Sequence, residues 1–526
     1  MVVTPGRSAR RDDLTQRLAI ELLQYVVGYL PPSVLLLASG VSKRFRSVIT
    51  RDTRFCIPLR VDVTLENICN GTCSRQVDHA YGVLSYAITE QLPVAMTVIH
   101  GPGIQAYAER RRYTSDVSAV VRSYMSDAVF RVIGTALPVL VRLGITIPDQ
   151  CSVALQAVLL QPAPVLRELK LSRSFVEDEP ESFGHWHVVP ANIFAGLAPQ
   201  LVRVSLCNVA LVAAPIPAFS SVRHVALEYD EEAPDIHISH VFPRISVLEV
   251  VFEADIDSLQ PPTTIEYGGL SLARLHISDD TGCDLLDTMV DDIELASIPS
   301  LTYTSYVAWS RHWKTVMEGV DGSLSMHMRD SLVPVFDSHY EVELRAIQTG
   351  FHRVFRLAEY NLYQDERFSE LKVFASRIVA IRLEYDFLYA LMDFRCDFPV
   401  LRRLRFDLPK GAQFNQSLWF PSSKDVGKET VNPDSRLSGE YLLFCPLLVT
   451  VALVARGCNW SICPRQVAFI GAAFGQLGRR AETRAHLEMV GIGFFEHSTC
   501  DLLNDVFPTI TYHLRDEHWG ENEGWL

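Results

Sequence analysis

The residues best suited to chemistry in this chain are dispersed. Cys69 and Cys73 have His79 nearby, and Cys458 and Cys463 form a second close pair. A structural zinc site needs four ligands, and neither cluster brings a clear second pair, so no metal is expected. His185, Trp186 and His187 follow the acidic run Glu177 to Ser182 and suit a solvated loop or a surface contact. Asp279–Asp280 and Asp291–Asp292 fit turn acids better than paired catalytic carboxylates. The chain has no G-x-S-x-G, G-x-x-x-x-G-K-S/T, G-x-G-x-x-G or H-E-x-x-H. The expectation is a protein that is not an enzyme and takes no cofactor.

Arginine is the one polar type with a pattern. A phrase of the form P-x-L-x-x-L-x-L begins at Pro138, Pro164 and Pro199, then more loosely at Ser220, Pro243 and Leu270. It is weak at Pro299 and resumes at Ser376, Pro399 and Pro446. The x positions hold Arg142, Arg167, Arg203, Arg223, Arg274, Arg382, Arg402, Arg403 and Arg405, with Lys170, His224 and His276. Acids there are few, chiefly Glu168 and Glu249. Guanidinium forks bind carboxylates and phosphates well, so an acidic or phosphorylated protein substrate is one reading. The other is that the arginine stems cover a sheet while their heads stay in water or pair with loop acids. Neutralising Arg402, Arg403 and Arg405 together should separate the two.

The elements that carry these arginines follow from the phrase. Its leucines would turn inward along a short strand, and the proline before it stops a preceding helix. One such unit cannot bury its face alone, so units must stack. Helical returns are visible at Ser115 to Leu137 and Cys151 to Gln161, and an earlier helix–strand unit at His79 to Ile99. The array would start near residue 60. The gap of 77 residues after Pro299 would hold roughly three more units, and the step of 47 after Pro399 roughly two, at ordinary repeat lengths. An ordinary α/β or all-β fold with Leu-rich strands is the alternative.

Ahead of the array lies RLAIELLQYVVGYLPPSVLLLASGVSKRFRSVIT. Leu18, Leu22, Val26 and Leu30 recur at helical spacing, with Leu23 and Val27 beside them. Pro31–Pro32 ends this helix, Ser33 could cap a second from Val34, and a third would carry Val41, Phe45, Val48 and Ile49 on one side. Three helices in so short a span cannot use all that apolar surface in their own core. They bind a partner or pack on the rest of the chain.

This segment resembles the F-box motif, which runs Leu-Pro-x-Glu-Leu-Leu, then Tyr-Leu, then Val-Ser-Lys-x-Trp. Leu18, Glu21, Leu22, Leu23, Tyr29, Leu30, Val41, Ser42 and Lys43 match; Ala19 replaces the proline and Phe45 the tryptophan. The body resembles the divergent leucine-rich repeats that follow an F-box in fungal proteins. The resemblance implies an α/β fold: an N-terminal three-helix F-box followed by a curved leucine-rich-repeat-like solenoid. It implies a substrate adaptor of a Skp–cullin–F-box ubiquitin ligase. Leu18, Leu22, Val26, Leu30, Pro31 and Leu36 would line the contact with the Skp adaptor, and through it the cullin. Val41 and Phe45 would hold the helices together. The repeats would present an unidentified protein substrate through Arg167, Arg203, Arg223, Arg274, Arg382, Arg402, Arg403 and Arg405. A repeat scaffold without ligase association is the alternative.

The expected domains are a disordered tail over 1–12, the F-box over 13–57, the repeat body over 58–515 with an insertion loop at 411–438, and a tail over 516–526. A net charge of −14 disfavours a global grip on nucleic acid. The apolar stretches Val26–Val41 and Tyr441–Ala455 are interrupted or short, so no membrane span is expected. Eleven cysteines without a framework suit a reducing compartment, hence an intracellular protein, cytoplasmic or nuclear.

Overall fold

The computed structural model describes residues 18–50, 52, 55–100, 115–148, 151–174, 187–229, 236–252, 265–266, 269–279, 294–305, 312–330, 339–358, 371–384, 387, 391, 396–408, 443–455, 460–462, 464–475, 484–494 and 501–513. The expected tails, the 411–438 loop and the Cys458–Cys463 pair lie outside the described residues. The chain divides into two compact units. The first runs to Tyr229 with two short later stretches, and the second holds most of the chain from Ser246 onward.

The first unit opens with three helices: α1 (Ile20–Tyr29), α2 (Pro32–Ser39) and α3 (Lys43–Ile49). Leu30, which precedes Pro31, is extended at φ −75°, ψ 133°, so α1 stops there. The second helix starts at Pro32 rather than at a Ser33 cap, because a proline in the first turn forfeits no helical hydrogen bond. The Ser42 hydroxyl caps α3 by accepting from the Phe45 amide at 3.1 Å. Leu23, Val27, Leu35, Val48, Ile49 and Phe55 form the core, and Leu30, Phe45 and Ile57 pack against it. Val41 takes no part. It precedes α3 and is exposed, so it does not hold the helices together.

Beyond them stand β1 (Ile57–Val63), β2 (Val94–His100), β3 (Leu140–Pro148), β4 (Glu168–Ser174), β5 (Arg203–Cys207) and β6 (His224–Tyr229). Each pairs with the next in parallel. A parallel neighbour requires a long crossover, supplied here by the helix Thr72–Glu90, the helical run Ser115–Ala136 and the helix Ser152–Leu159. The Ser115–Ala136 run contains a π-helical turn at Met125–Val129. Every apolar triplet of the recurring phrase is buried here: Leu140, Leu143 and Ile145, then Leu166, Leu169 and Leu171, and so on through Leu227.

The second unit holds β7 (Val247–Phe252), β8 (Arg274–Asp279), β9 (Ser300–Ser305), β10 (Leu324–Asp330), β11 (His339–Ala346), β12 (His352–Ala358), β13 (Ile378–Glu384), β14 (Arg403–Leu408), β15 (Thr450–Ala455), β16 (His486–Val490) and β17 (Ile510–His513). Three sequence expectations change here. First, the weak phrase at Pro299 is read three residues late. Leu301 and Tyr303 pair with Leu275 and Ile277, so Ile298, Leu301 and Tyr303 are the buried triplet and Thr304 falls on the other face.

Second, the 77-residue gap holds three strands among its described residues, but not as successive repeats. Their spatial order is reversed, β9–β12–β11–β10–β13, with β11 antiparallel to both neighbours. The reason is chain length. Only Ile347–Phe351 joins β11 to β12, with Gly350 at φ +73° and the Ala346 amide bonded to the Phe351 carbonyl. So short a link permits a hairpin and forbids a parallel crossover. Third, β14 pairs directly with β15, Arg403 opposite Thr450, so no further strand stands between them.

On β12 Arg353 is buried and, among the described residues, pairs with no carboxylate. Its guanidinium donates to the carbonyls of Val316 at 2.8 Å, Ile298 at 2.8 Å and Leu295 at 3.3 Å, and burial lowers its pKa to about 10. The carbonyls in turn satisfy its buried donors.

Candidate functional site: an apolar helix face and a charged strand face

The α1 helix turns two faces in different directions. Leu23 and Val27 close the core, while Leu22 and Val26, four residues apart, are exposed, as is Leu18 just before the helix. Leu22 is 54% exposed. Tyr25 and Tyr29 have their rings edge to face at 4.8 Å and their hydroxyls 2.8 Å apart. The bond to Tyr25 raises the Tyr29 pKa. On α2, Val34 and Leu37 are exposed as well, Leu37 at 76%. Of the other expected contact residues, Pro31 is exposed and Leu30 is half-buried against the core. Leu36 lies in α2, and its side chain is outside the described residues. Isolated exposed leucines are ordinary, but a contiguous patch of them marks an interaction surface.

A family model for the F-box domain matches residues 16–56. The segment is similar to an F-box domain. The match supports the reading as an F-box protein, a component of Skp–cullin–F-box ligase type, and F-box proteins are generally non-catalytic adaptors. A search of curated proteins found no match to the chain. In the F-box, Ala19 stands at the α1 N-cap, where its side chain accepts no hydrogen bond.

The arginines of the phrase sit on the outward face of the strands, and the two units treat them differently. In the second unit that face is crowded with acids. Asp407, itself buried, takes Arg405 Nε at 2.7 Å and Arg382 Nε at 2.5 Å. Arg405 is only 5% exposed, so it is not a surface cation. Neutralising it with Arg402 and Arg403 would remove one of the two arginines on buried Asp407, and so would disturb the fold rather than test substrate capture alone. In the reversed insert, Glu341 accepts from Arg329 Nε at 2.8 Å and Arg356 Nε at 3.3 Å. Glu343 lies 2.9 Å from His352 Nε2, 3.3 Å from Arg345 and 3.8 Å from His327 Nδ1. The two histidines, His327 foremost, hold its pKa well below the usual carboxylate range against the opposing effect of burial. On β8, burial lowers His276 to about 4, Arg356 adding to the effect.

In the first unit the face is sparser in acids. The strand register sets Arg142, Glu168, Arg203 and His224 side by side across β3 to β6. Arg142 Nε lies 3.1 Å from Glu168 at an exposed site. Arg203 and Lys170 are exposed, and neither side chain makes a hydrogen bond or ion pair among the described residues.

The expected residues therefore sort into three groups. Arg203, Arg274 and Arg403 are exposed on outward positions. Arg167, Arg223 and Arg402 stand one residue before their strands, at the entry edge. Arg382 and Arg405 are held by Asp407. The residues missed were Glu341, Glu343 and Asp407. The alternation in YEVELRA and the Asp two places after Arg405 were the available signals.

Among the described residues no group of His, Cys, Asp and Glu could hold a metal, and no helix is long and apolar enough to cross a membrane. Cys73 is buried, and burial raises its thiol pKa.

Proposed function

We propose that this chain is the substrate-recognition subunit of a Skp–cullin–F-box ubiquitin ligase. The F-box docks on the Skp adaptor through Leu18, Leu22, Val26 and Pro31, and Leu30 and Leu36 shape the same surface. The outward strand face, part of a leucine-rich-repeat-like solenoid, receives an acidic or phosphorylated protein substrate. The working site is then cytoplasmic or nuclear. The carrying observation is that Leu22 and Val26 are exposed one turn apart on α1 while Leu23 and Val27 of the same helix are buried in the core, with exposed Leu18 just ahead of the helix. An amphipathic face of this kind fills a partner groove. The in-order parallel strands with buried leucine triplets support the repeat reading.

The second reading, a scaffold that has lost the adaptor, has one observation in its favour: the uncapped start of α1 at Ala19. Co-purification of the full chain with a Skp adaptor separates the two. Leu22→Asp with Val26→Asp should cut adaptor binding more than tenfold without unfolding the F-box. Leu30→Asp is unsuitable as a test, because Leu30 packs on the core. Failure of the unmutated chain to bind the adaptor would overturn the first reading.

A further inference from the structure

We propose that the substrate-reading part of the outward face is the patch on β4 and β5 around Lys170 and Arg203, and that it takes an extended segment rich in Asp and Glu. The inference rests on the adaptor reading above and narrows its substrate class.

Three observations carry it. The first is availability. Arg382 and Arg405 are committed to Asp407, and Arg329, Arg345 and Arg356 to Glu341 and Glu343. Lys170 and Arg203 have no such partner among the described residues; Arg274 has none either, but its neighbours in the register, Val247 and Ser300, are uncharged, so it stands alone. The second is placement. Lys170 faces Ser205 in the register, one step along from the Glu168–Arg203 pair, so the two cations are diagonal neighbours on adjacent strands. Arg142 stands in the same row two strands from Arg203, with Glu168 between them. Strands are about 4.8 Å apart, so the cations are spaced across the face rather than converging on one point. The third is exposure. Arg142 is half exposed, and Lys170 and Arg203 are exposed. A single dianion is best held by buried donors aimed at one spot. Separated, solvated single charges suit several carboxylates along an extended chain. The remainder of this acidic chain repels such a segment, which gives the patch its selectivity.

The test uses the full chain and fluorescein-labelled peptides of eight glutamates, eight lysines, and a neutral peptide carrying one phosphoserine. The glutamate peptide should bind, and weaken steeply as salt rises, since exposed charges are screened beyond about 8 Å at physiological ionic strength. Lys170→Glu with Arg203→Glu should reduce its affinity at least tenfold while thermal unfolding and Skp adaptor capture are unchanged. Arg403→Glu in the second unit should alter it less than twofold. Equal loss in the two variants would overturn the placement. Unchanged binding in the double variant, or tighter binding of the phosphoserine peptide, would overturn the proposal. The adaptor assay is independent: loss of adaptor binding with the peptide result intact defeats the ligase reading and leaves this one standing.

Discussion

The outward strand faces of the two units are built from the same phrase and end in opposite electrostatic states. In the first unit β5 alternates, with Arg203 and Ser205 facing out between buried Val204 and Leu206. In the second unit β14 and β15 are buried on both faces beyond their first residues. Ala452, Val454 and Val490 form a small apolar cluster on the outward side, and Arg405 and Asp407 are enclosed with them. A strand buried on both faces loses its alternation and reads as the near-continuous apolar run TVALVA. An arginine in that setting must have its charge compensated, by a carboxylate as at Arg405 or by several carbonyls as at Arg353, because an unpaired charge out of water costs several kcal/mol. An arginine on an alternating strand needs none. Position in the phrase therefore does not decide whether an arginine is surface or structure. The covering of its strand does.

The comparison breaks most visibly at Asp407. Asp407→Ala would remove the buried carboxylate that Arg405 and Arg382 share, and should destabilise the second unit by about 3–5 kcal/mol, the range for breaking a buried pair from one side. Chemical denaturation monitored by intrinsic fluorescence would measure it. A loss below about 1 kcal/mol would mean that Arg405 is solvated and the two faces are alike. Replacing Arg382, Arg405 and Asp407 together by Met, Leu and Leu should recover much of the loss, since well-packed apolar groups often replace a buried ionic cluster without penalty.

A smaller effect comes from Glu343. Its pKa is depressed in the folded chain from an ordinary value of 4.5 by His327 and His352, with Arg345 and Arg329 also nearby. A depressed carboxylate contributes stability that is complete above its unfolded pKa and is lost as pH falls through the folded one. The second unit should therefore weaken on acidification below about pH 4.5, and Glu343→Gln should flatten that slope. An unchanged acid slope in the variant would show that the histidine pair does not hold the carboxylate.

How much of this was legible in the sequence follows from the same distinction. The three F-box-like helices, and the strands from Leu140 to Leu227, were readable because local periodicity matched burial: apolar pairs one turn apart in α1 (Leu22 and Val26 outside, Leu23 and Val27 inside), and an aliphatic triplet in each strand. The phrase at Pro299 misled because Pro299 sits inside the triplet Ile298–Leu301–Tyr303 instead of ahead of it. The reversed insert was not legible as repeats, since what fixes it is the short link Ile347–Phe351 rather than any leucine pattern. The charged site was half legible. Arginines were visible at their positions, but Glu341 and Glu343 lie on strands outside the phrase, and only the strand register brings them against Arg356 and Arg329.

The smallest effect sharpens the contrast from the other side. Glu168 is the acid paired with Arg142 in the first unit, and both side chains are substantially exposed, at 35% and 50%. An exposed pair of this kind contributes about 0–1 kcal/mol, because water screens the attraction and two long side chains lose freedom in making it. Glu168→Gln should therefore shift the unfolding free energy by under about 1 kcal/mol, against the several expected for Asp407→Ala. The same change releases Arg142 and removes the one carboxylate in the row beside Arg203. Binding of the eight-glutamate peptide should then rise two- to threefold and become more salt-sensitive. A stability loss as large as that at Asp407 would make Glu168 a structural acid. The first unit's face would then be held together by charge in the same way as the second.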